Sequence, residues 1–197
     1  KDKNLQDKDK YSLLHCAAEH GMVEIVEYLL PLLSDKLPKT GPRELPDALG
    51  GTIIHDKMTP LHLAARKGHL SIIECIVPHL NSDINPVKGN AFTVLHDAAF
   101  FGHLNVVAFY TMKLDNPNPG QISNDVYRGR TPLHYAAQQG HLEVVKHLCN
   151  LLQDQNPSDD NGDTPLHLAA DGGNIDIVKY LVQFVDNIHP KNRYNKT

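Results

Sequence analysis

The stretch "TPLHYAAQQGHLEVVKHL", residues 131–148, holds three histidines, His134, His141 and His147, with small residues between the first two. Thr131 is a favourable N-cap, and Pro132 suits the first helical position, where no N–H is needed. Leu133, Ala136 and Ala137 then share one helical face, and the alanines let a neighbouring backbone approach closely. Gly140 stands where glycine ends a helix. A second helix is predicted from about His141, with Leu142, Val144, Val145 and Leu148 facing inward at helical spacing. Beyond it, "NPSDDNGD" (156–163) is rich in turn formers and predicts a hairpin-like finger. A single finger–helix–turn–helix unit cannot bury its own faces, but a stack of such units can.

The rest of the chain supplies that stack. "SLLHCAAEHG" begins at Ser12, "TPLHLAARKG" at Thr59, "TVLHDAAFFG" at Thr93, "TPLHYAAQQG" at Thr131 and "TPLHLAADGG" at Thr164, giving spacings of 47, 34, 38 and 33 residues. Each is followed by an aliphatic run: "MVEIVEYLL", "HLSIIECIV", "HLNVVAFYT", "HLEVVKHLC" and "NIDIVKYLV".

The motif Thr-Pro-Leu-His-x-Ala-Ala-x-x-Gly at a period near 33 resembles the ankyrin repeat, and the resemblance covers essentially the whole chain. The fourth and fifth copies fit closely. The first has Ser12-Leu13 for Thr-Pro, and the third has Val94 and Asp97 where proline and an apolar residue are usual. The resemblance implies an all-α solenoid, one domain over 1–197, with repeats at about 4–50, 51–84, 85–122, 123–155 and 156–188 and the start of a sixth at 189–197.

His15, His62, His96, His134 and His167 occupy one position in the five copies. In the family this chain resembles, that histidine ties the helix start to neighbouring loop backbone. Metal binding is the competing reading, but zinc needs about four ligands at roughly 2 Å, whereas equivalent residues of a stack lie one repeat apart. "HCAAEH" (15–20) lacks the metalloprotease spacing His-Glu-x-x-His. His69, His103 and His141 follow the inter-helix glycine and read as turn residues. No Gly-rich phosphate loop follows a strand, and no serine or cysteine has a base at recognisable spacing. A non-catalytic chain without metal or cofactor is expected.

The totals bound the partners. Nineteen basic and 23 acidic side chains give a formal net charge of −4, which argues against a nucleic-acid or anionic-membrane surface. No basic-then-apolar leader and no apolar run of about 18 residues is present. Cys16, Cys75 and Cys149 read as reduced core thiols, so an intracellular, cytoplasmic monomer is expected, and the sequon Asn195-Lys-Thr197 is set aside.

Against a 33-residue unit, the first copy carries 14 extra residues (47 − 33) and the third five (38 − 33). The first insertion is expected in 31–51, a stretch made partly stiff by prolines at 31, 38, 42 and 46, and the second in 115–127. Both are expected to follow a second helix and precede the next finger, either building binding surface or forming tolerated loops. Asn4, Asn85-Pro, Asn156-Pro and His189-Pro each lie eight residues before the first residue of a motif or, for His189, before Thr197. The fifth copy keeps an internal-type apolar face (Ile175, Ile177, Val178, Leu181), so an excised piece of a longer array is expected.

Function must then come from the surface. In proteins that this one resembles, partners lie on the concave side, formed by the fingers and the outer face of each first helix. Carried over position by position, that side offers Lys8, Asp9, Tyr11, Glu19 and His20; His55, Asp56, Met58, Arg66 and Lys67; Asn90, Phe92, Phe100 and Phe101; Tyr127, Arg128, Arg130, Gln138 and Gln139; and Asp160, Asn161, Asp163 and Asp171. The leading expectation is an intracellular scaffold or adaptor segment binding a protein or peptide partner. The alternative is a cytosolic regulatory or assembly domain of a larger protein, such as an ion channel or multidomain enzyme. Phe92, Phe100 and Phe101 are expected as an exposed binding hot spot, unless the second insertion folds over them into a local core. The resemblance also marks Asn156, with Leu148 eight residues before it, and Asn85, with Val77 there, as possible sites of asparaginyl hydroxylation.

Overall fold

The computed structural model describes residues 5–41, 43–46, 52–55, 57–80, 83–89, 91–122, 127–185 and 192–193. Backbone contacts divide the chain into two compact units, residues 1–94 and 95–197.

The first unit contains α1 (Leu13–Glu19), α2 (Val23–Leu29), β1 (Arg43–Pro46), β2 (Thr52–His55), α3 (Pro60–Lys67) and α4 (Leu70–Ile76). First helix packs on first helix (α1 on α3) and second on second (α2 on α4). Leu14, Ala17, Ala18, Val26, Leu61, Ala64, Ala65, Ile72, Ile73 and Ile76 form the core between them. The second unit contains α5 (Val94–Phe100), α6 (Leu104–Thr111), α7 (Pro132–Gln139), α8 (Leu142–Leu151), α9 (Pro165–Asp171) and α10 (Ile175–Leu181). Here α7 packs on α9, and α8 on both α6 and α10, over Leu133, Val144, Val145, Leu148, Ile177 and Leu181. The small residues do what the motif requires, since Ala136 and Ala137 are fully buried. The fold class is the expected all-α repeat solenoid, with one two-stranded β addition. Ile175 departs from the expected face: it is exposed, while Ile177 and Leu181 are buried.

The inter-helix turn is where glycine is indispensable. Gly102 has φ +77°, and a Cβ there would stand 2.4 Å from Nδ1 of His141. The backbone conformation and the close approach both exclude a side chain.

Each finger closes by one repeated pair of backbone bonds. Asp7 N–H donates to Tyr11 O, Lys88 N–H to Phe92 O and Asp159 N–H to Asp163 O, each spanning four residues. The equivalent bonds in the two long repeats run from Thr40 to Met58 and from Gln121 to Arg130, spanning 18 and nine. The excesses, 18 − 4 = 14 and 9 − 4 = 5, equal the two insertions. Both therefore lie inside a finger, between Thr40 and Met58 and between Gln121 and Arg130, not ahead of it as the sequence suggested. The larger one includes the antiparallel pair β1–β2, with Arg43 opposite His55 and Pro46 opposite Thr52. Asn192 and Arg193 dock on the fifth finger, where Arg193 N–H donates to Asn161 O and Asn192 Nδ2 to Asp163 Oδ1.

Candidate interaction surface

The histidines form the frame on which the surface is built. In α1, α3, α7 and α9 the Ser or Thr N-cap and the His three residues on make a reciprocal capping box. The N-cap backbone N–H donates to Nδ1 of His15 (3.1 Å), His62, His134 and His167 (3.2 Å each). A ring nitrogen that accepts from an amide carries no proton, so the proton resides on Nε2. That nitrogen faces the next finger's backbone: Nε2 of His15 lies 3.1 Å from Met58 O, that of His62 3.3 Å from Phe92 O, that of His96 3.2 Å from Arg130 O and that of His134 3.0 Å from Asp163 O. Each acceptor is the residue just before the next repeat's N-cap. These four rings are fully buried.

A second set of ties runs the other way, and reading His69 and His141 as turn residues missed it. Nε2 of His69 lies 3.2 Å from Glu19 O, that of His141 2.9 Å from Phe100 O, and Asn174 Nδ2 donates to Ala137 O and Gln138 O. The residue after Gly68, Gly140 and Gly173 therefore satisfies the last carbonyls of the preceding first helix.

Burial lowers the pKa of His134 from 6.5 to about 4, partly offset by its bond to Asp163 O and reinforced by the nearby Arg130 charge; burial also lowers that of His15. The unfolded chain then binds more protons than the folded one between those two values, so stability is lost as pH falls from about 6.5 to 4. For His134 the full loss is roughly 3 kcal/mol. Urea titrations at stepped pH should show it, and a His134→Gln chain should show a shallower slope.

The partner-facing candidates divide into two groups. Tyr11, Phe101, Tyr127, Arg128, Gln138 and Gln139, with Arg66 and Lys67, retain at least partial exposure, Tyr127 being 47% exposed. Tyr11 OH hydrogen-bonds Glu19, and Arg66 Nη1 lies 3.8 Å from Met58 Sδ. Met58, Phe92 and Arg130 are buried instead. They precede an N-cap, at the base of the finger rather than its tip, where the chain is pressed against the previous repeat. Phe92 is 8% exposed, with Lys88 Nζ 4.9 Å from its ring centre. Arg130 Nε pairs with Asp159 Oδ2 at 3.1 Å, and its guanidinium carbon lies 4.8 Å from the Tyr127 ring centre. Arg128 pairs with Asp160 at 3.1 Å in the open. Cys16 is likewise exposed rather than a core thiol, while Cys149 is buried, which pushes its pKa up to about 12. Asp56, Asn90, Asn4, His189 and the sequon lie outside the described residues.

The phenylalanine pair falls between the two expected outcomes. Phe100 is half-buried, 5.0 Å from the Phe101 ring and 6.0 Å from that of Tyr135. Tyr135 OH donates to Gln121 Oε1 at 2.6 Å, so the lengthened finger does reach this aromatic group, through Gln121. Phe101 remains 37% exposed. Phe101→Ser should therefore change unfolding free energy by less than about 1 kcal/mol, and Phe100→Ser should cost about 2 kcal/mol, both read by chemical denaturation.

Asn156 Oδ1 accepts from Leu166 N–H at 3.1 Å, and Asn118 Oδ1 does the same for Leu133 at 3.0 Å. Asn118 escaped the sequence reading because the five inserted residues move it to 13 before Thr131.

Among the described residues no group of three or more His, Cys, Asp or Glu could hold a metal. The family model for ankyrin repeats in three copies matches residues 43–118 and 110–193, and the single-repeat model matches 9–33. The chain belongs to the ankyrin-repeat family. No curated protein matches the chain. The motif histidines of the ankyrin repeats thus serve the stack, and their partners on the following finger are backbone carbonyls, whatever side chain stands there.

Proposed function

We propose that this chain is a non-catalytic interaction module, an intracellular scaffold or adaptor segment that binds a protein or peptide partner through its finger and first-helix side chains. Ankyrin repeats generally mediate protein–protein interaction. One observation supports the reading most. At the finger base the frame uses only the carbonyl oxygens of Met58, Phe92, Arg130 and Asp163. Eight residues beyond Tyr11 and these four, Glu19, Arg66, Phe100, Gln138 and Asp171 differ from repeat to repeat and stay at least partly exposed, as recognition requires. Ile122, 86% exposed within the lengthened finger, and Tyr127 extend that variable surface. No helix among the described residues is long and apolar enough to cross a membrane.

The test is crosslinking mass spectrometry on partners captured by the wild-type chain, by Phe101→Ser/Tyr127→Ser, and by Lys146→Glu on the second-helix side. A partner lost with the first variant and kept with the second supports the proposal; crosslinks confined to second helices contradict it. Asn156 is proposed as the site of asparaginyl hydroxylation. After treatment with the hydroxylase, mass spectrometry should find the added oxygen on Asn156 before Asn85; an unmodified Asn156 removes the idea.

A further inference from the structure

The two edges of the β1–β2 ribbon are not equivalent, and the backbone shows which one is open. Proline has no N–H, so Pro46 and Thr52 form a non-hydrogen-bonded pair; alternation then makes Leu45–Ile53 and Arg43–His55 the bonded pairs. The backbone groups of Glu44 and Pro46 therefore turn outward along β1, and those of Thr52 and Ile54 turn outward along β2. On β1 only Glu44 has an outward N–H to give. On β2 both outward residues have one, and each brings a carbonyl oxygen as well. Threonine and isoleucine also favour extended backbone.

The base of the ribbon is fixed, and it separates the two edges further. Thr40 N–H donates to Met58 O, and Lys57 N–H donates to Thr40 O. The peptide unit between Thr40 and Gly41 thus gives its oxygen toward the β2 side. Its N–H points the opposite way and donates to Asp9 O of the first finger at 2.8 Å. At its base, then, the ribbon already leans its β1 side on a neighbouring backbone. Thr52 and Ile54 form no backbone hydrogen bond across their outer side with a described residue. A two-stranded ribbon is marginal by itself, and an open strand edge is a template for one more strand.

We propose that the outer edge of β2 takes an extended segment of a partner protein as a third strand, through the backbone of Thr52 and Ile54. The proposal rests on the interaction-module reading and gives the longer of the two finger insertions a binding task. The size of the edge selects the occupant. Four residues run about 13 Å, and two such edges side by side fall far short of the roughly 800 Å² per partner of a stable dimer. A second copy of this chain therefore does not suit the edge. An extended peptide does, because its own backbone supplies the matching donors and acceptors.

Hydrogen exchange is followed amide by amide in the full chain while a short capped peptide of alternating Thr and Val, with Lys at each end, is added. The same peptide N-methylated along its backbone is the control. The unmethylated peptide should slow exchange at the Thr52 and Ile54 amides about tenfold when present at about ten times its Kd, and leave Glu44 unchanged. Ile54→Pro removes one outward N–H and should weaken binding about fivefold, whereas Glu44→Pro, the same change on the opposite edge, should not. Absence of slowing at Thr52 and Ile54, slowing at Glu44 instead, equal binding of the N-methylated peptide, or equal weakening by the two prolines overturns the proposal. If partners captured by the full chain leave the Thr52 and Ile54 amides unprotected, this proposal fails and the module reading stands; capture of no polypeptide removes both.

Discussion

Replacing His134 with alanine should lower the unfolding free energy by about 3–5 kcal/mol, one of the two largest effects expected of a single substitution here. The ring is fully buried and carries three bonds: it accepts from Thr131 N–H and Oγ1–H, and its Nε2–H reaches Asp163 O. Alanine leaves a void, an unmet N-cap amide and an unmet finger carbonyl. His20→Ala, at an exposed ring bonded only within its own helix turn, should cost less than about 0.5 kcal/mol. Guanidinium melts of the two variants check the contrast. A small loss at His134 would mean that the stack does not depend on the tie.

Arg130→Met should cost about 3 kcal/mol for a different reason. Its partner Asp159 has a fully buried side chain, whose Oδ1 already caps Asn161 and Asp163 N–H groups while Oδ2 meets the guanidinium. Removing the arginine leaves an uncompensated charge in a buried site, which is the expensive way to break a buried pair. Asp159→Asn in the same chain keeps the Oδ1 acceptor, removes the charge, and should recover much of the loss. Arg128→Met, at the exposed pair with Asp160, should cost less than about 1 kcal/mol. The double-mutant cycle, measured by denaturation, separates the pair from the loss of arginine packing on Tyr127.

The helices and their inward faces were legible because they repeat: Leu-His-x-Ala-Ala at constant spacing left little freedom in what is buried. The finger insertions were counted correctly but placed wrongly. Their length follows from spacing alone, whereas their location depends on which amide closes the turn, and Thr40 and Gln121 share no residue type with Asp7 or Asp159 to mark the position. The surface was least legible. Met58, Phe92 and Arg130 stand one residue before an N-cap, and sequence does not say that this position is pressed against the preceding repeat. Arg130 in particular reads as a binding residue until Asp159 and Asp163 are seen beside it.

The central claim, that the motif histidines hold the stack together, is tested most directly by nuclear magnetic resonance of the ring nitrogens. Long-range proton–nitrogen correlation spectra across a pH titration should show His15, His62 and His134 as Nε2–H tautomers at neutral pH, with His134 still neutral at pH 5 and titrating near 4. Titration of His15 or His134 near 6.5, an Nδ1–H tautomer, or a shift of the same nitrogens on adding zinc would contradict it.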